Sequence, residues 1–175
     1  MKILRTITEN DFGRKAHSEK WPGYQIREAA RAVLFDNESR IALMYVTSDN
    51  YYKLPGGGVD EGEDIRTALN RELFEEVGAN SVEVFAEIGR VDLFRDDNEM
   101  NGRHYCFMAK LAGPIVQPAR TEKELTEGYE TLWANNIDEA ISLVEKGSPK
   151  DHGHNFERLR ELVFLKEAKL LLGKQ

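Results

Sequence analysis

Three glutamates crowd the end of the segment RELFEEVG, residues 71–78. Apolar residues repeat around it at i,i+4 spacing, which predicts a helix over residues 64–77 that ends at Gly78. A helix C-terminus carries about half a negative charge, so Glu72, Glu75 and Glu76 are unfavourable there. Glu72 and Glu76 also form a like-charge i,i+4 pair. The segment therefore needs a reason to keep its acids.

A divalent cation would supply that reason. On a helix of ~100° per residue the three glutamates cover an arc of roughly 100°, so their carboxylates can converge. Three adjacent carboxylates repel one another, and Mg²⁺ and Mn²⁺ prefer oxygen ligands. The alternative is a solvated acidic face without a role. The upstream run Gly56-Gly57-Gly58 lets the backbone approach a ligand closely, although a glycine run alone also fits a flexible turn.

The rest of the chain supplies the elements that must position these acids. Strands are predicted at residues 2–7, 29–35, 40–46, 82–88, 90–95, 104–111 and 128–134, with a hairpin connection at 36–39. Residues 51–54 lead into a Pro-Gly-Gly-Gly loop at 55–58. Two further helices are predicted at 137–146 and 155–172. Strands interleaved with three helices predict an α/β fold, a mixed β-sheet between helices.

Length and composition favour one globular domain over residues 1–175. We expect an N-terminal extension at residues 1–23 and a C-terminal helix at 151–173. Hydrophobic residues make up 41% of the chain and charged residues 31%, an ordinary balance for a folded protein.

The net charge of −7 argues against non-specific binding to nucleic acids or anionic membranes. Cys106 is the single cysteine, so no internal disulfide is expected, as suits a reducing cytosol. The N-terminus lacks the apolar core of a signal peptide, and no apolar run approaches the ~18 residues of a membrane span. We therefore expect a cytoplasmic protein.

A longer pattern surrounds the acidic helix. Residues 57–79 read GGVDEGEDIRTALNRELFEEVGA. The spacing of Gly57, Glu63, Arg71-Glu72, Glu75-Glu76 and Gly78 resembles the Nudix box, the signature of the Nudix hydrolase family. Only Ala79 departs from the pattern, where a bulkier aliphatic residue is usual, and this affects packing. The resemblance is expected to extend from about residue 27 to 144, and it implies the Nudix-type α/β/α sandwich.

Nudix hydrolases cleave a nucleoside diphosphate linked to another moiety, X, with water and Mg²⁺ or Mn²⁺. The resemblance implies four metal ligands: the backbone carbonyl of Gly56 and the carboxylates of Glu72, Glu75 and Glu76. It also implies that Arg71 and Glu63 form an ion pair that orients Glu72.

The general base stays open, because family members use either a box glutamate or a glutamate on a later loop. The stretch TEKELTEGYETLW at residues 121–133 offers Glu122, Glu124, Glu127 and Glu130. We favour Glu127 as an added ligand or base, because it stands a few residues before Trp133, as a metal-binding glutamate does in some members.

Substrate-binding candidates lie outside the box. Lys53 could reach a phosphate, and Arg31, with Arg27, could contact an anionic group; a surface position is the alternative. Tyr52 and Phe94 could stack a nucleobase, although aromatic residues beside a glycine loop often only pack.

Three histidines and one helix complete the sequence-based expectations. His104 is expected to be structural, and His152 and His154 are expected in the turn before the last helix or at the pocket rim. The last helix has enough apolar surface to cover the sheet or a second copy, so a homodimer stays open.

A binding module that senses a nucleotide without cleaving it is the alternative function. The chain keeps all the box glutamates, which favours catalysis. An isoprenoid diphosphate isomerase would need an active-site cysteine, and Cys106 falls within a predicted strand. The expected partner is a small nucleoside diphosphate derivative, with no stable nucleic-acid complex and no membrane. Which nucleotide is cleaved stays open.

Overall fold

The fold is built around one mixed β-sheet. The computed structural model describes residues 1–174, apart from the side chain of Lys123. The strands are β1 Ile3–Ile7, β2 Gln25–Phe35, β3 Ile41–Val46, β4 Tyr51–Lys53, β5 Gly56–Gly58, β6 Val82–Arg95, β7 Met100–Leu111 and β8 Tyr129–Ala134. The helices are α1 Ile65–Val77, α2 Glu122–Thr126, α3 Ile137–Lys146 and α4 His152–Leu172.

The sheet has the order β1-β6-β7-β2-β3-β4, with β5 paired to β2 and β8 paired to β3. β1 runs parallel to β6 and β2 runs parallel to β7. The other pairs are antiparallel. The predicted α/β fold with a mixed sheet is confirmed.

Helices cover both faces of the sheet, as the alternation along β2 requires. Ala32 and Leu34 point to the face that packs against Leu69 and the rest of the buried stripe of α1. Val33 points to the opposite face, where it joins a core with Phe156 and other residues of α3 and α4. The sheet is therefore buried between two helical layers.

The ends of α1 follow from its sequence. Asp64 caps the N-terminus, and its carboxylate accepts hydrogen bonds from the backbone N–H groups of Arg66 and Thr67 at 2.8 and 3.0 Å. Gly78 ends the helix with φ 78°, in the left-handed region that favours glycine. The predicted helix over residues 64–77 and its glycine terminus are confirmed.

The prediction of a loop at residues 55–58 was wrong. Gly56–Gly58 forms β5, in which Gly58 pairs with Ala29 and Gly56 pairs with Arg31. A Cβ on Gly56 would lie 2.1 Å from the carbonyl oxygen of Ala30, so only glycine permits this approach. Pairing across the sheet, which the local sequence does not encode, overrides the turn tendency of glycine.

Several element bounds also differ from the predictions. The two strands expected at 82–88 and 90–95 are one strand, β6, with register shifts between Val84 and Ala86 and between Glu87 and Gly89. β2, β7 and α4 begin earlier than expected, and the short helix α2 was not predicted. The register shift at Glu87 and Gly89 lets β6 continue past Gly89, so this glycine does not end the strand.

Residues 1–23 are not separate from the sheet. β1 adds a parallel edge strand to β6, and Phe12 packs against Phe156 of α4 with ring centroids 4.5 Å apart. The expected boundary at Gln175 lies outside the described residues. Over residues 1–174 we find no helix with the length and apolar character needed to cross a bilayer.

Two glycines with similar backbone angles test how much steric space matters. We expect Gly13→Ala, at φ 72° with no atom within 4 Å of the added Cβ, to lower the free energy of unfolding by about 1–2 kcal/mol. Gly78→Ala should lower it by a further ~1–3 kcal/mol, because its Cβ would lie 1.9 Å from the Val116 carbonyl oxygen. Urea denaturation measures both, and equal losses would contradict the packing argument.

Candidate metal and phosphate site

A gap in the sheet opens the candidate site. β2 pairs with β3 at Phe35 and Ile41, and towards its N-terminal half it pairs with β5 instead. The gap leads into a cavity of about 240 Å³. The cavity is lined by residues from α1, α2, α4 and five strands: Arg27, Ala29, Arg31, Lys53, Gly56, Gly57, Gly58, Glu72, Glu76, Leu93, Arg95, Met100, Gly102, His104, Glu124, Gly153, Glu157 and Arg160.

Three carboxylates converge in this cavity. One oxygen each of Glu72, Glu76 and Glu124 lies within 4.8 Å of the other two. Glu72 and Glu76 are one turn apart on α1, and Glu124 comes from α2. Burial raises the pKa of Glu72, and the charge of Glu76 raises it further, despite the hydrogen bond from Arg71. The group is an all-oxygen donor set of the kind that Mg²⁺ and Mn²⁺ take.

Glu76 is held by a buried ion pair. Its side chain is 1% exposed, and its Oε1 lies 3.1 Å from the Nζ of Lys53. Its Oε2 accepts a hydrogen bond from the backbone N–H of Gly56 at 2.7 Å. Burial lowers the pKa of Lys53, but attraction to Glu76, with smaller contributions from Tyr129 and Glu157, raises it on balance to about 12. The surface position that was the alternative for Lys53 is wrong, because its side chain is buried beside the acids; its contact with a phosphate stays a prediction.

Arg71 contacts both Glu63 and Glu72, so the ion pair that the resemblance implies is present. Its guanidinium donates to both oxygens of Glu63, at 3.1 and 2.9 Å, and to the carbonyl of Gly58 at 2.9 Å. It also donates to Oε1 of Glu72 at 2.7 Å. One arginine thus ties the glycine strand to the helix and fixes the direction of a carboxylate in the cavity.

Gly57 makes room for the same carboxylate. A Cβ at this position would lie 2.2 Å from the carboxyl carbon of Glu72. The backbone of β5 therefore passes directly against the acid, while its expected approach to a bound ligand stays a prediction. Any larger residue would displace Glu72 from the cluster.

The structure does not bring Glu75 or Glu127 into the converging group. Glu75 is 29% exposed and lies 3.3 Å from Arg71, on the outer side of the acidic arc. Of the glutamates at residues 121–133, Glu124 of α2 joins the group, whereas we expected Glu127 there. The carboxylate of Glu124 is held by hydrogen bonds from the backbone and hydroxyl of Thr121 at 2.7 and 3.0 Å. The roles of Glu75 and Glu127 as ligands or base stay predictions.

Hydrogen bonds from Arg120 hold the start of α2 near the end of α1. Arg120 donates to the carbonyl of Glu76 at 3.3 Å and to the hydroxyl of Thr131 at 2.8 Å. This contact fastens the chain immediately before α2 to the end of the acidic helix. Sequence spacing alone offers four glutamates in this stretch and does not tell which one faces the cavity.

The opposite wall of the cavity is basic. Arg31 on β2 and Arg160 on α4 are 6% and 0% exposed, and both line the cavity. Arg160 pairs with Glu161 and donates to Nδ1 of His104 at 3.2 Å. Burial, followed by the charge of Arg160, lowers the pKa of His104 well below its usual range, so the ring is neutral. The cavity therefore has an acidic end and a cationic end.

His104 and α4 were not expected in the site. Gly153, Glu157 and Arg160 line the cavity at i, i+4 and i+7, which is one face of the helix. Charged residues interrupting an apolar helix pattern were the available signal in the sequence. The expectation that His104 is only structural missed its position facing the cavity.

The two aromatic candidates do not line the cavity. Tyr52 stacks on Tyr45 with ring centroids 4.6 Å apart, and Phe94 stacks on Trp21 at 4.3 Å. Both rings pack against aromatic neighbours, which agrees with the alternative that these residues only pack. Their proposed role in stacking a nucleobase has no contact here that supports it.

His152 and His154 lie in the first turn of α4, and not in the turn before it. Nε2 of His152 lies 2.8 Å from Glu9, and Nδ1 of His154 lies 2.7 Å from Asp49. These contacts attach α4 to distant parts of the chain. Neither residue lines the cavity of the acidic group.

The NUDIX domain family model matches residues 25–153, which include the acidic helix, the glycine strand and α2. The chain belongs to the Nudix family. The match begins where β2 begins, so the parallel edge strand β1 lies outside it.

Relatives of this Nudix chain include proteins named RNA pyrophosphohydrolase. The one from Wolbachia pipientis subsp. Culex pipiens (strain wPip) is 41% identical over 64 residues, 36% of this chain and 40% of that protein. The one from Helicobacter pylori (strain ATCC 700392 / 26695) is 39% identical over 112 residues, 64% of this chain and 61% of that protein. The chain thus spans about 40% and 61% of the lengths of these relatives.

The Nudix fold also appears in solved structures. The C. elegans Ap4A hydrolase binary complex has a TM-score of 0.57 at 17% identity, covering 84% of this chain and 99% of that chain. The MutT protein from Methanosarcina mazei Go1 has a TM-score of 0.55 at 16% identity, covering 83% and 97%. At these identities the likeness concerns the fold.

Substituting the two helix glutamates should have opposite effects on stability. Glu76→Gln leaves Lys53 buried without its counter-charge, and we expect a loss of about 3–5 kcal/mol in the free energy of unfolding. Glu72→Gln removes a charge whose folded-state pKa is raised, so it should preserve or increase stability at neutral pH.

The free energy of unfolding should depend on pH differently in the wild type and in Glu72→Gln. Because the raised pKa of Glu72 makes the wild type lose stability as pH rises through that pKa, Glu72→Gln should remove part of this loss. Urea denaturation in EDTA between pH 4 and pH 8 measures it. A Glu72→Gln protein that is less stable than wild type at pH 8 would contradict the repulsion argument.

Proposed function

We propose that this Nudix protein is a metal-dependent pyrophosphohydrolase, which uses water to cleave a nucleoside diphosphate linked to another moiety. The observation that carries the proposal is the convergence of Glu72, Glu76 and Glu124 in a cavity whose other wall is cationic. Such an arrangement suits a phosphoric anhydride, because one end holds a cation and the other attracts phosphate charge.

The donor set fits Mg²⁺ or Mn²⁺. Carboxylate oxygens within 4.8 Å of one another repel when ionised, and a divalent ion removes that repulsion. Glu72, Glu76 and Glu124 would hold it, with the backbone carbonyl of Gly56 as a further ligand. Glu75, which lies at the edge of the same helix face, stays a predicted ligand. When bound, the ion neutralises phosphate charge and lowers the pKa of a coordinated water.

The protein side chains supply orientation and charge balance. Arg71 keeps Glu72 aimed into the cavity, and Glu63 keeps Arg71 in place. Lys53 sits beside Glu76 and also meets the negative charge of an entering phosphate. A glutamate acts as the general base that removes a proton from the attacking water. Glu124, which lines the cavity, is a second candidate for this role in addition to the predicted Glu127.

RNA joins the list of candidate substrates. The relatives named RNA pyrophosphohydrolase suggest that the group linked to the phosphate chain can be an RNA. A net charge of −7 is compatible with such a substrate if only its phosphorylated end enters the cavity. Nucleoside triphosphates, nucleotide sugars and dinucleoside polyphosphates stay candidates. A cytoplasmic location and a homodimer also stay predictions.

A substrate panel tests the proposed activity. Nucleoside triphosphates, oxidised dGTP, ADP-ribose, nucleotide sugars, diadenosine polyphosphates and 5′-triphosphorylated RNA are incubated with the protein in Mg²⁺, in Mn²⁺ and in EDTA. We expect release of phosphate or pyrophosphate that depends on the metal. Nucleotide binding without release in any condition would favour the sensing module.

Glu72 offers the sharpest test of catalysis. Glu72→Gln should lower kcat by about a thousandfold or more on whichever panel substrate is cleaved, with folding intact, because the cluster loses one anionic ligand. Glu83→Gln, on the strand β6 and away from the cavity, is the matched control. Near-normal turnover of Glu72→Gln in Mg²⁺ would refute the metal assignment.

Glu124 and Glu127 can be separated by the same assay. Glu124→Gln should reduce kcat by about 10²–10⁴-fold, as expected for a lost ligand or proton-transfer group. If Glu124 alone serves the cavity, Glu127→Gln should retain kcat within about threefold. The reverse order would restore the sequence-based choice of Glu127. Circular dichroism confirms that both variants fold.

A further inference from the structure

Arg31 is a buried guanidinium without a carboxylate partner among the described residues. Its side chain lies in the sheet interior at 6% exposure. Its hydrogen bond is a long one, 3.4 Å from Nη1 to the carbonyl of Leu54, and its Nε has no partner. Glu72 and Glu157 attract it through space, but no carboxylate of the described residues lies within ion-pair distance of it. Burying N–H donors that lack an acceptor is unfavourable, so a group from outside the chain is expected to accept from them.

The position of Arg31 shows where that group would lie. On β2, Arg31 points to the same face of the sheet as Ala29. Its paired residues on the two adjacent strands are Gly56 of β5 and Cys106 of β7. The guanidinium lines the same cavity as the acidic group, and its charge acts on Glu72.

Arg160 reinforces the cationic end from α4, which packs on the face of β2 that carries Val33 and Arg31. It reaches the cavity from α4, fully buried, and its own Nε has no partner. Glu161 and Glu157 offset part of its charge, and Glu157 itself lines the cavity. Arginines from a strand and from a helix thus face one space, in the arrangement that binds an oxyanion through several N–H donors.

The size and lining of the cavity identify the ligand class. About 240 Å³ is less than the roughly 300–1,000 Å³ of pockets that enclose a drug-sized ligand. No phenylalanine, tyrosine or tryptophan of the described residues lines it. The space suits a short chain of phosphates, while a nucleoside or RNA stays at the mouth.

We propose that Arg31 and Arg160 form an anion subsite that binds a phosphate of the substrate beyond the one held at the acidic group. The inference rests on the proposed pyrophosphohydrolase function and specifies which phosphate-containing substrates that enzyme would prefer. Substrates that end in a chain of three or more phosphates are favoured over those in which a sugar follows the second phosphate.

Inorganic pyrophosphate is the probe for the subsite, used without metal. Isothermal titration calorimetry of the full chain in EDTA at low ionic strength should detect binding to the wild type. Arg31→Met should weaken the affinity about tenfold or more, because charge-assisted hydrogen bonds are lost. Arg31→Lys, which keeps the charge but not the planar fork, should lie between the two.

Arg103→Gln is the matched control. Arg103 precedes His104 on β7 and pairs in register with Glu28, so it points to the opposite face of the sheet from Arg31. Its variant should bind pyrophosphate like the wild type. If Arg31→Met does not fold, Arg31→Lys against Arg103→Gln carries the comparison.

A stability measurement separates a ligand-binding role from a structural one. Without an anion, Arg31→Met should unfold close to the wild-type temperature, because the guanidinium that is removed makes no close ion pair and leaves its Nε without an acceptor. With pyrophosphate present, only the wild type and Arg103→Gln should gain thermal stability. Equal gains in Arg31→Met would overturn the subsite, and so would the absence of pyrophosphate binding to the wild type.

The substrate class has its own readout. In Mg²⁺, Arg31→Met should lower kcat/KM for nucleoside triphosphates relative to ADP-ribose by about tenfold. An unchanged ratio would overturn the preference for longer phosphate chains. Arg31-dependent pyrophosphate binding in a protein that cleaves nothing would instead overturn the hydrolase function and leave the subsite standing.

Discussion

Repulsion between buried carboxylates is the constraint on which this structure depends. Glu72 and Glu76 project from one face of α1, and Glu124 joins them from a separate helix. Two cations offset the repulsion: Arg71 is bonded to Glu72, and Lys53 is paired with Glu76 inside the core. These partners come from different elements, so the charges that balance the buried acids lie beside them only after the sheet and helix have assembled. The cluster is therefore ready to bind a cation when the protein is folded.

The glycine strand makes that assembly geometrically possible. β5 inserts beside β2 at the point where β2 and β3 separate, and its backbone approaches both the sheet and α1. A Cβ at Gly56 would meet the strand, and one at Gly57 would meet the carboxylate of Glu72. The same gap exposes the face of β2 that carries Arg31. One local feature thus joins the acidic end of the cavity to its cationic end, and this polarity suits a phosphate chain.

Sequence reasoning reached the parts of the site that lie within a short stretch of chain. The helix with its glycine end and the ion pair of Arg71 with Glu63 were both predicted and are present. The choice between Glu124 and Glu127 was not reached. Which of two glutamates three residues apart faces α1 depends on the conformation of the loop, and spacing does not encode it.

By itself, the sequence determined the acidic helix, the α/β class and the family pattern, because helix periodicity, capping and glycine requirements are local properties of the chain. Tertiary structure alone decided that Gly56–Gly58 forms a strand and that Lys53 is buried against Glu76. It also brought Arg160 of α4 to the cavity that Arg31 lines. These features join residues from separate elements. Their positions follow from how the two helical layers pack on the sheet, and no short-range pattern in the chain records that packing.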